Sequence, residues 1–499
     1  MTTARDPVAR LREARAALAA GAAMRAPGAG ALAAVLGQDA PPAALAEKLE
    51  SVINSTPELF AAKLLFAMAL DAEGRRNDAI DALRVALADG PPDDYDSLCL
   101  AADALLDWDA PEEAAAAAGA ALTLAPHASH AYLRRGRALA AAGDVSGAVE
   151  DLRQATLLQP SLAEAHLALA RELQAIGRHQ GAVASFRRVL ALDPGCDDAR
   201  RGLDAALVAL IPPWHAAMLN DAPRAEAFDR AIRRAVKPGM HVLDIGTGTG
   251  LLAMMAARAG AGRVTACESI GALADVAETI IKNSRLKDIV NVIVKSSDAL
   301  DSAEMNGRAD LLVAEILDAG LLSEGVLRSF ADARARLLEP GAPVIPQAAT
   351  VHAVPVECEA LYAERRVGTV AGFDLSPFNA LAPRLYLQAD LRRYDWRALA
   401  APVPVFSFDF RSATPAPEER TIPVAATADG SAQLIAFWFT LALDDETTLS
   451  TAPDAPATHW QQAVYALDAP IPVRAGQALR LHARHDGNTV RLALDAGES

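Results

Sequence analysis

From Asp93 onward the apolar positions fall on one face of successive helices, and the same spacing returns after about 34 residues. Aligning Asp93 to Pro126, His127 to Pro160 and Ser161 to Pro194 brings the anchors into register. Gly136 and Ala170 fall where the first helix needs a small residue, and Gly143 and Gly177 fall at the inter-helix turn. Ala148 and Ala182 fall where the second helix packs closely, and Pro126, Pro160 and Pro194 end the units. A fourth unit with Gly74 and Ala79 lies upstream, shifted by one residue, while Thr2 to Pro57 is too degenerate to assign. At least four helical hairpins are predicted. A helix from near Asp197 to Leu210 caps them, and Ile211-Pro212-Pro213 breaks it, so a domain boundary belongs there.

Hairpins of this period stack as tetratricopeptide repeats into a right-handed solenoid whose concave face commonly binds peptide segments. The alternative is an array that only scaffolds or dimerises the rest of the chain. After the boundary the pattern changes to alternating strands and helices. His241 to Ile245, Val264 to Glu268, Val290 to Val294 and Ala309 to Ala314 are the strands, with helices over Leu251 to Ala259 and about Ala272 to Asn283. That alternation predicts a parallel, doubly wound α/β sheet. Beyond Pro346 come short strand-like runs separated by turns: Ala349 to Val356, Val403 to Asp409, Ala432 to Leu441, Gln462 to Ala466, Leu479 to His485 and Val490 to Leu494. An antiparallel barrel is expected from them.

Length and composition narrow the class. A chain of 499 residues fits two or three domains. No apolar run approaches a membrane span, and the N-terminus lacks a signal-peptide core, so a soluble, cytoplasmic protein is expected. Its four cysteines are scattered without paired spacing, which indicates neither a disulfide framework nor a zinc site. The net charge of −16 argues against nucleic acid as the main partner and favours basic ones.

The chemistry gathers on the α/β segment. In Asp244-Ile-Gly246-Thr-Gly248-Thr-Gly250 the glycines let the backbone approach a cofactor, and the next helix presents free N–H groups there. Glu268, ending the second strand, is placed to accept both ribose hydroxyls. Such a turn with a later acid also occurs in dinucleotide-binding dehydrogenases; the preceding Val-Leu-Asp-Ile shifts the balance toward S-adenosylmethionine. The segment from His215 through Met218 to Arg224 places a cation and polar groups in a helix and turn that would fold back over the cofactor. At the far end of the sheet stand two glutamates, Glu315 and Glu324, in Ala-Glu-Ile-Leu-Asp-Ala-Gly-Leu-Leu-Ser-Glu-Gly. Together with the glycine turn they suggest a methyl donor facing a guanidinium. That group arrives protonated, and two carboxylates can fix its plane and localise its charge away from the attacking nitrogen.

Trp214-His-x-x-Met-Leu-Asn-Asp, the glycine turn, the glutamate pair and Thr458-His-Trp460 occur in the order seen in the protein arginine N-methyltransferase family, which residues Trp214 to Leu494 strongly resemble. The resemblance is strongest to the branch bearing tetratricopeptide repeats, as in the ninth mammalian member, here with a single catalytic module. It implies S-adenosylmethionine as cofactor, held by Asp244, Gly246, Gly248, Gly250, Arg224 on the methionine carboxylate, Glu268, Ser297, and Asp298 near the adenine. It implies Glu315 and Glu324 as the substrate-holding pair, His459 and Asp221 paired across a domain boundary, and Trp460 as a wall beside the substrate arginine. An arm near 372–397 implies a homodimer. Glu324-Gly-Val departs from the Glu-Ser-Met of asymmetric dimethylating enzymes, although Met218 is retained, which leans the product toward monomethyl or symmetric dimethylarginine.

The expected architecture is an all-α tetratricopeptide solenoid, then a class I α/β methyltransferase with a Rossmann-like doubly wound sheet, then an antiparallel β-barrel domain. Its expected parts are a degenerate helical segment over 1–56, repeats and capping helix over 57–210, the S-adenosylmethionine-binding domain over 211–346, and the barrel over 347–499. Two other readings compete: a class I methyltransferase for a small molecule or another protein side chain, and a repeat adaptor with an inactive methyltransferase domain.

Overall fold

The computed structural model describes residues 6–20, 29–38, 40–89, 94–211 and 214–496; Met1 to Arg5, Asp93 and the Pro212-Pro213 breaker lie outside them. The chain divides into two compact units, Met1–Ile211 and Pro212–Ser499.

The first unit is helical throughout its described length. Helices α1 (Pro7–Ala20), α2 (Ala29–Leu36) and α3 (Pro42–Ser55) precede the pairs α4 and α5 (Phe60–Ala72, Arg76–Ala88), α6 and α7 (Tyr95–Asp107, Pro111–Leu124), α8 and α9 (Ser129–Ala141, Val145–Leu158) and α10 and α11 (Ala163–Ala175, His179–Leu192), then α12 (Asp197–Leu210). Each helix of these pairs packs on its chain neighbour. The pairs close because Gly74, Gly143 and Gly177 take the left-handed region, with φ of 83°, 85° and 72°. In the block beginning at Asp93 the same place holds Asp109, also left-handed at φ 64°. A Cβ on Gly136 would lie 2.8 Å from Leu152, and Ala114, Ala148 and Ala182 are fully buried, which is why small residues recur there. The degenerate N-terminal stretch is anchored by charge instead. Arg10 of α1 is buried and donates at 2.9 Å both to Asp71 of α4 and to Asp107 of α6.

In the second unit, strands β1 (His241–Ile245), β2 (Arg263–Cys267), β3 (Val290–Ile293), β4 (Leu311–Ala314) and β5 (Val344–Ile345) form a parallel sheet in the order β3-β2-β1-β4-β5. All five β1 residues and all four of β4 are buried, as strands covered on both faces must be. The order reverses at β1, so the crevice for a ligand opens at the carboxyl ends of β1 and β4.

Strands β6 (Ala348–Glu357), β7 (Thr369–Val370), β8 (Phe373–Asp374), β9 (Leu387–Ala389), β10 (Arg397–Ala398), β11 (Val403–Asp409), β12 (Glu418–Ala425), β13 (Gly430–Ala442), β14 (Thr448–Ser450), β15 (Gln462–Val473), β16 (Ala478–His485) and β17 (Val490–Ala496) follow. Seven of them form an antiparallel sheet around β6, β13 and β15, while β12, β16 and β17 form a second, so the domain is of the β-barrel type. The sequence reading missed β12, because Glu418-Glu-Arg-Thr-Ile-Pro-Val-Ala is mostly exposed and lacks alternating apolar positions. Strand β15 runs past the expected end at Ala466, through Pro470 and Pro472, to Val473. Buried residues of the α/β domain and of the β domain belong to one core, with Phe330 of the helix Val326–Arg336 5.2 Å from Phe410 of the β domain, centroid to centroid.

Candidate active site

The glycine turn leaves β1 with Gly246, Gly248 and Gly250 at φ 70°, 56° and 83°. A Cβ on Gly246 would come 2.6 Å from Ile316, so the loop lies against the residue that follows Glu315. Glu268, buried at the end of β2, accepts from the Gly248 N–H at 2.9 Å and the Ile270 N–H at 2.8 Å. Each carboxylate oxygen keeps a further lone pair for a ribose hydroxyl. Asp244, 1% exposed, accepts from the Thr247 hydroxyl at 2.5 Å and the Ala253 N–H at 3.0 Å through one oxygen, which shapes the turn, while its other oxygen is buried without a partner among the described residues. Burial pushes its carboxyl up to about 7, against the pull of those hydrogen bonds.

A second cluster forms where helix α13 (His215–Leu219) leads into α14 (Ala222–Ala235). Asp221 caps α14 by accepting the Arg224 N–H at 3.0 Å, and its other oxygen accepts the His459 N–H at 2.8 Å and lies 3.0 Å from the His459 Nδ1. Burial would raise Asp221, but the hydrogen bonds from the His459 ring and backbone outweigh it and hold the carboxyl below its usual range. The Arg224 guanidinium pairs with Glu315, both side chains almost wholly buried, and donates weakly to the Met218 carbonyl at 3.4 Å. Its Nε is buried with no partner. The expectation gave Arg224 and Glu315 to separate ligands; the structure joins them directly. Burial raises the Glu315 carboxyl, opposed by the charges of Arg224 and His459.

Glu324 stands apart, exposed and without a hydrogen-bond or ion-pair partner among the described residues. Its side chain meets solvent, yet the protein packed round it, followed by repulsion from Glu315 and Asp318, pushes it up to about 7. Trp460 is fully buried and donates its indole N–H to the Leu317 carbonyl at 2.6 Å, which ties it to the loop between the two glutamates. His215 stacks on Trp214 with centroids 4.4 Å apart, and its Nδ1 is buried without a partner. Ser297 is buried in the turn after β3, whereas Asp298 is exposed, held by the Ser296 hydroxyl, and contacts neither cluster.

Asp318 and Tyr386 escaped the sequence reading. Asp318 accepts the Gly320 N–H at 3.1 Å and the Ser323 N–H at 3.0 Å, closing the turn between the two glutamates, and takes a bond from the Tyr386 hydroxyl. An acid two residues before a glycine was the available signal for Asp318. Tyr386 had none.

A glycine turn at a sheet's switch point, with an acid on the neighbouring strand end, receives a nucleoside. The buried guanidinium beside it, one donor still unsatisfied, suits a carboxylate tail rather than a second nucleotide. The fold and site are those of the class I S-adenosylmethionine-dependent methyltransferases.

Comparison with known proteins sharpens this. Family models match over residues 347–494 (arginine methyltransferase oligomerization subdomain), 228–346 (ribosomal protein L11 methyltransferase) and 163–196 (tetratricopeptide repeat). An arginine N(omega)-methyltransferase of Streptomyces achromogenes subsp. streptozoticus is 41% identical over 285 residues, 57% of this chain and 79% of that protein. Protein arginine N-methyltransferase 7 of Oryza sativa subsp. indica is 32% identical over 320 residues, 56% of this chain; the chain spans only 44% of that longer relative. Among solved structures, the Trypanosoma brucei PRMT1 enzyme–prozyme heterotetrameric complex with AdoHcy aligns with a TM-score of 0.50 and 25% identity, covering 57% of this chain and 93% of that one. The chain belongs to the protein arginine N-methyltransferase family.

Proposed function

We propose that the second unit transfers a methyl group from S-adenosylmethionine to an ω-nitrogen of arginine in protein substrates. The observation that carries this reading is the pair of glutamates at the crevice, one bound to the arginine suited to the cofactor carboxylate and one free. When bound, the cofactor would supply an electrophilic methyl on a sulfonium, whose S–CH3 bond breaks to leave a neutral thioether as the N–CH3 bond forms. Arg224 has a spare buried donor for its carboxylate, and Glu268 has lone pairs for its ribose. Glu315 and Glu324 would take hydrogen bonds from the substrate guanidinium and hold one of its nitrogens toward the cofactor crevice. As that nitrogen gains charge, the paired carboxylates stabilise it. His459, fixed by Asp221 and near enough for its charge to act on Glu315, is the base that would accept the proton released by the methylated guanidinium.

The same reading extends to product and assembly. Gly325-Val326 after the second glutamate, where Ser-Met favours asymmetric dimethylation, supports monomethyl or symmetric dimethylarginine. The arm exposes Phe373, Phe378, Leu381 and Leu385, each at least 61% exposed, and the matched family model is described as an oligomerization subdomain; both support a homodimer. The stacked hairpins of the first unit and the repeat match at 163–196 support a tetratricopeptide solenoid that recruits substrate or partner. Four free cysteines suit a reducing compartment, the cytoplasm.

A second reading, free arginine as substrate, is favoured by the name of the bacterial relative, which does not specify a protein. Incubation with labelled S-adenosylmethionine and either arginine peptides, lysate proteins or free L-arginine, followed by mass spectrometry of the product, tests both. Methylation of peptides and lysate proteins is expected. Label confined to free arginine would overturn the protein-substrate reading, and no arginine labelling would overturn the activity. Removing residues 1–211 is expected to slow methylation of lysate proteins more than of a short peptide.

A further inference from the structure

The turn between the two glutamates is held by a residue from a distant part of the chain. Tyr386 lies just before β9, at the exit of the exposed arm. Its hydroxyl bonds both Asp318 and Ser323. Its ring lies so close over Gly320 that a Cβ there would come within 2.5 Å of it. The ring is itself held edge-on by Phe437 at 5.3 Å and Tyr465 at 5.8 Å. Two residues on, Gln388 donates from Nε2 to the carbonyls of His459 at 2.7 Å and Trp460 at 3.0 Å. One short segment thus grips the glutamate turn with one side chain and the His459 segment with the next. Glu324 has no partner of its own among the described residues, so its position depends on this turn, which also carries Leu321 in the left-handed region at φ 79°.

We propose that Tyr386 is a positioning residue for methyl transfer: its hydroxyl, through Asp318 and Ser323, fixes the turn that places Glu324 opposite Glu315. This rests on the arginine methyltransferase reading above. Burial and the neighbouring Asp318 carboxylate hold the phenol well above its ordinary value, so it remains a donor at working pH.

The test is Tyr386→Phe in the full chain, which keeps the ring and removes only the hydroxyl. The expected result is a roughly tenfold fall in kcat/KM for an arginine substrate, carried by the substrate terms, with S-adenosylmethionine affinity by calorimetry within about twofold of the parent and little change in Tm. Gly320→Ala, which drives a methyl into the ring, is expected to cost a similar factor in the parent and almost nothing further in a Tyr386→Ala background. Undiminished kcat/KM in Tyr386→Phe, parallel losses of Tm and cofactor affinity, or additive costs for Gly320→Ala and Tyr386→Ala would each overturn the proposal. An inactive parent chain would instead count against the activity itself.

Discussion

The two ends of the turn from Glu315 to Glu324 carry the same functional group in opposite surroundings. Glu315 leaves a fully buried strand and meets Arg224 in the interior, whereas Glu324 sits on a loop, open to solvent and unpaired among the described residues. One is set by the sheet and the other by a tyrosine from the β domain. The difference teaches that a symmetric-looking pair of acids need not act symmetrically. Glu315 is held in place through one oxygen by a protein cation, which leaves the other for the substrate, whereas Glu324 reaches the substrate from a position set by the turn alone.

The comparison is broken most directly at the chemistry. Glu324→Gln and Glu315→Gln are each expected to lower kcat by about a thousandfold while S-adenosylmethionine still binds, since each removes charge stabilisation present in the transition state. Turnover surviving either change within about tenfold would end the assignment of that residue. The asymmetry predicts a second, smaller effect. Because Glu324 titrates near 7 and must be ionised to hold a cationic guanidinium, kcat/KM is expected to rise about tenfold per pH unit below 7 and to level off above it. A profile flat from pH 6 to 8 would separate Glu324 from substrate binding.

The smallest effect is on stability, and its sign differs between the ends. The folded value of Glu324 lies above its ordinary one, so ionisation opposes folding as pH rises from the usual carboxylate range through about 7. Glu324→Gln is therefore expected to melt slightly higher than the parent at pH 8 and level with it at pH 4. Burial raises Glu315 in the same direction, but Glu315→Gln also leaves the Arg224 guanidinium buried without its anion; that loss is expected to dominate, so this variant melts several degrees lower at pH 8. Differential scanning calorimetry of both variants at the two pH values decides this, and shifts of the same sign would collapse the distinction.

Much of the architecture was legible because its determinants are local. Glycines with positive φ at 74, 143 and 177 mark helix turns, and the apolar strands of the α/β sheet are bounded by turn residues in the sequence itself. What was not legible depends on partners far along the chain. Asp109 performs the turn of a glycine without looking like one. Strand β12 is held by its pairing with β16, from Glu418 opposite His485 to Ala425 opposite Ala478, rather than by apolar alternation. Arg224 and Glu315 were each visible as chemistry, but their mutual bond spans 91 positions and could not be read from either motif. Tyr386 reaches Asp318 across 68 positions with no pattern around it.

The Trp460 indole reaches the Leu317 carbonyl across 143 positions. On the ribosome, the glycine turn and both glutamates are therefore synthesised well before the tryptophan that underpins their loop and the histidine beside it. A chain synthesised only as far as Glu324 therefore lacks the indole N–H that holds the Leu317 carbonyl between the two glutamates.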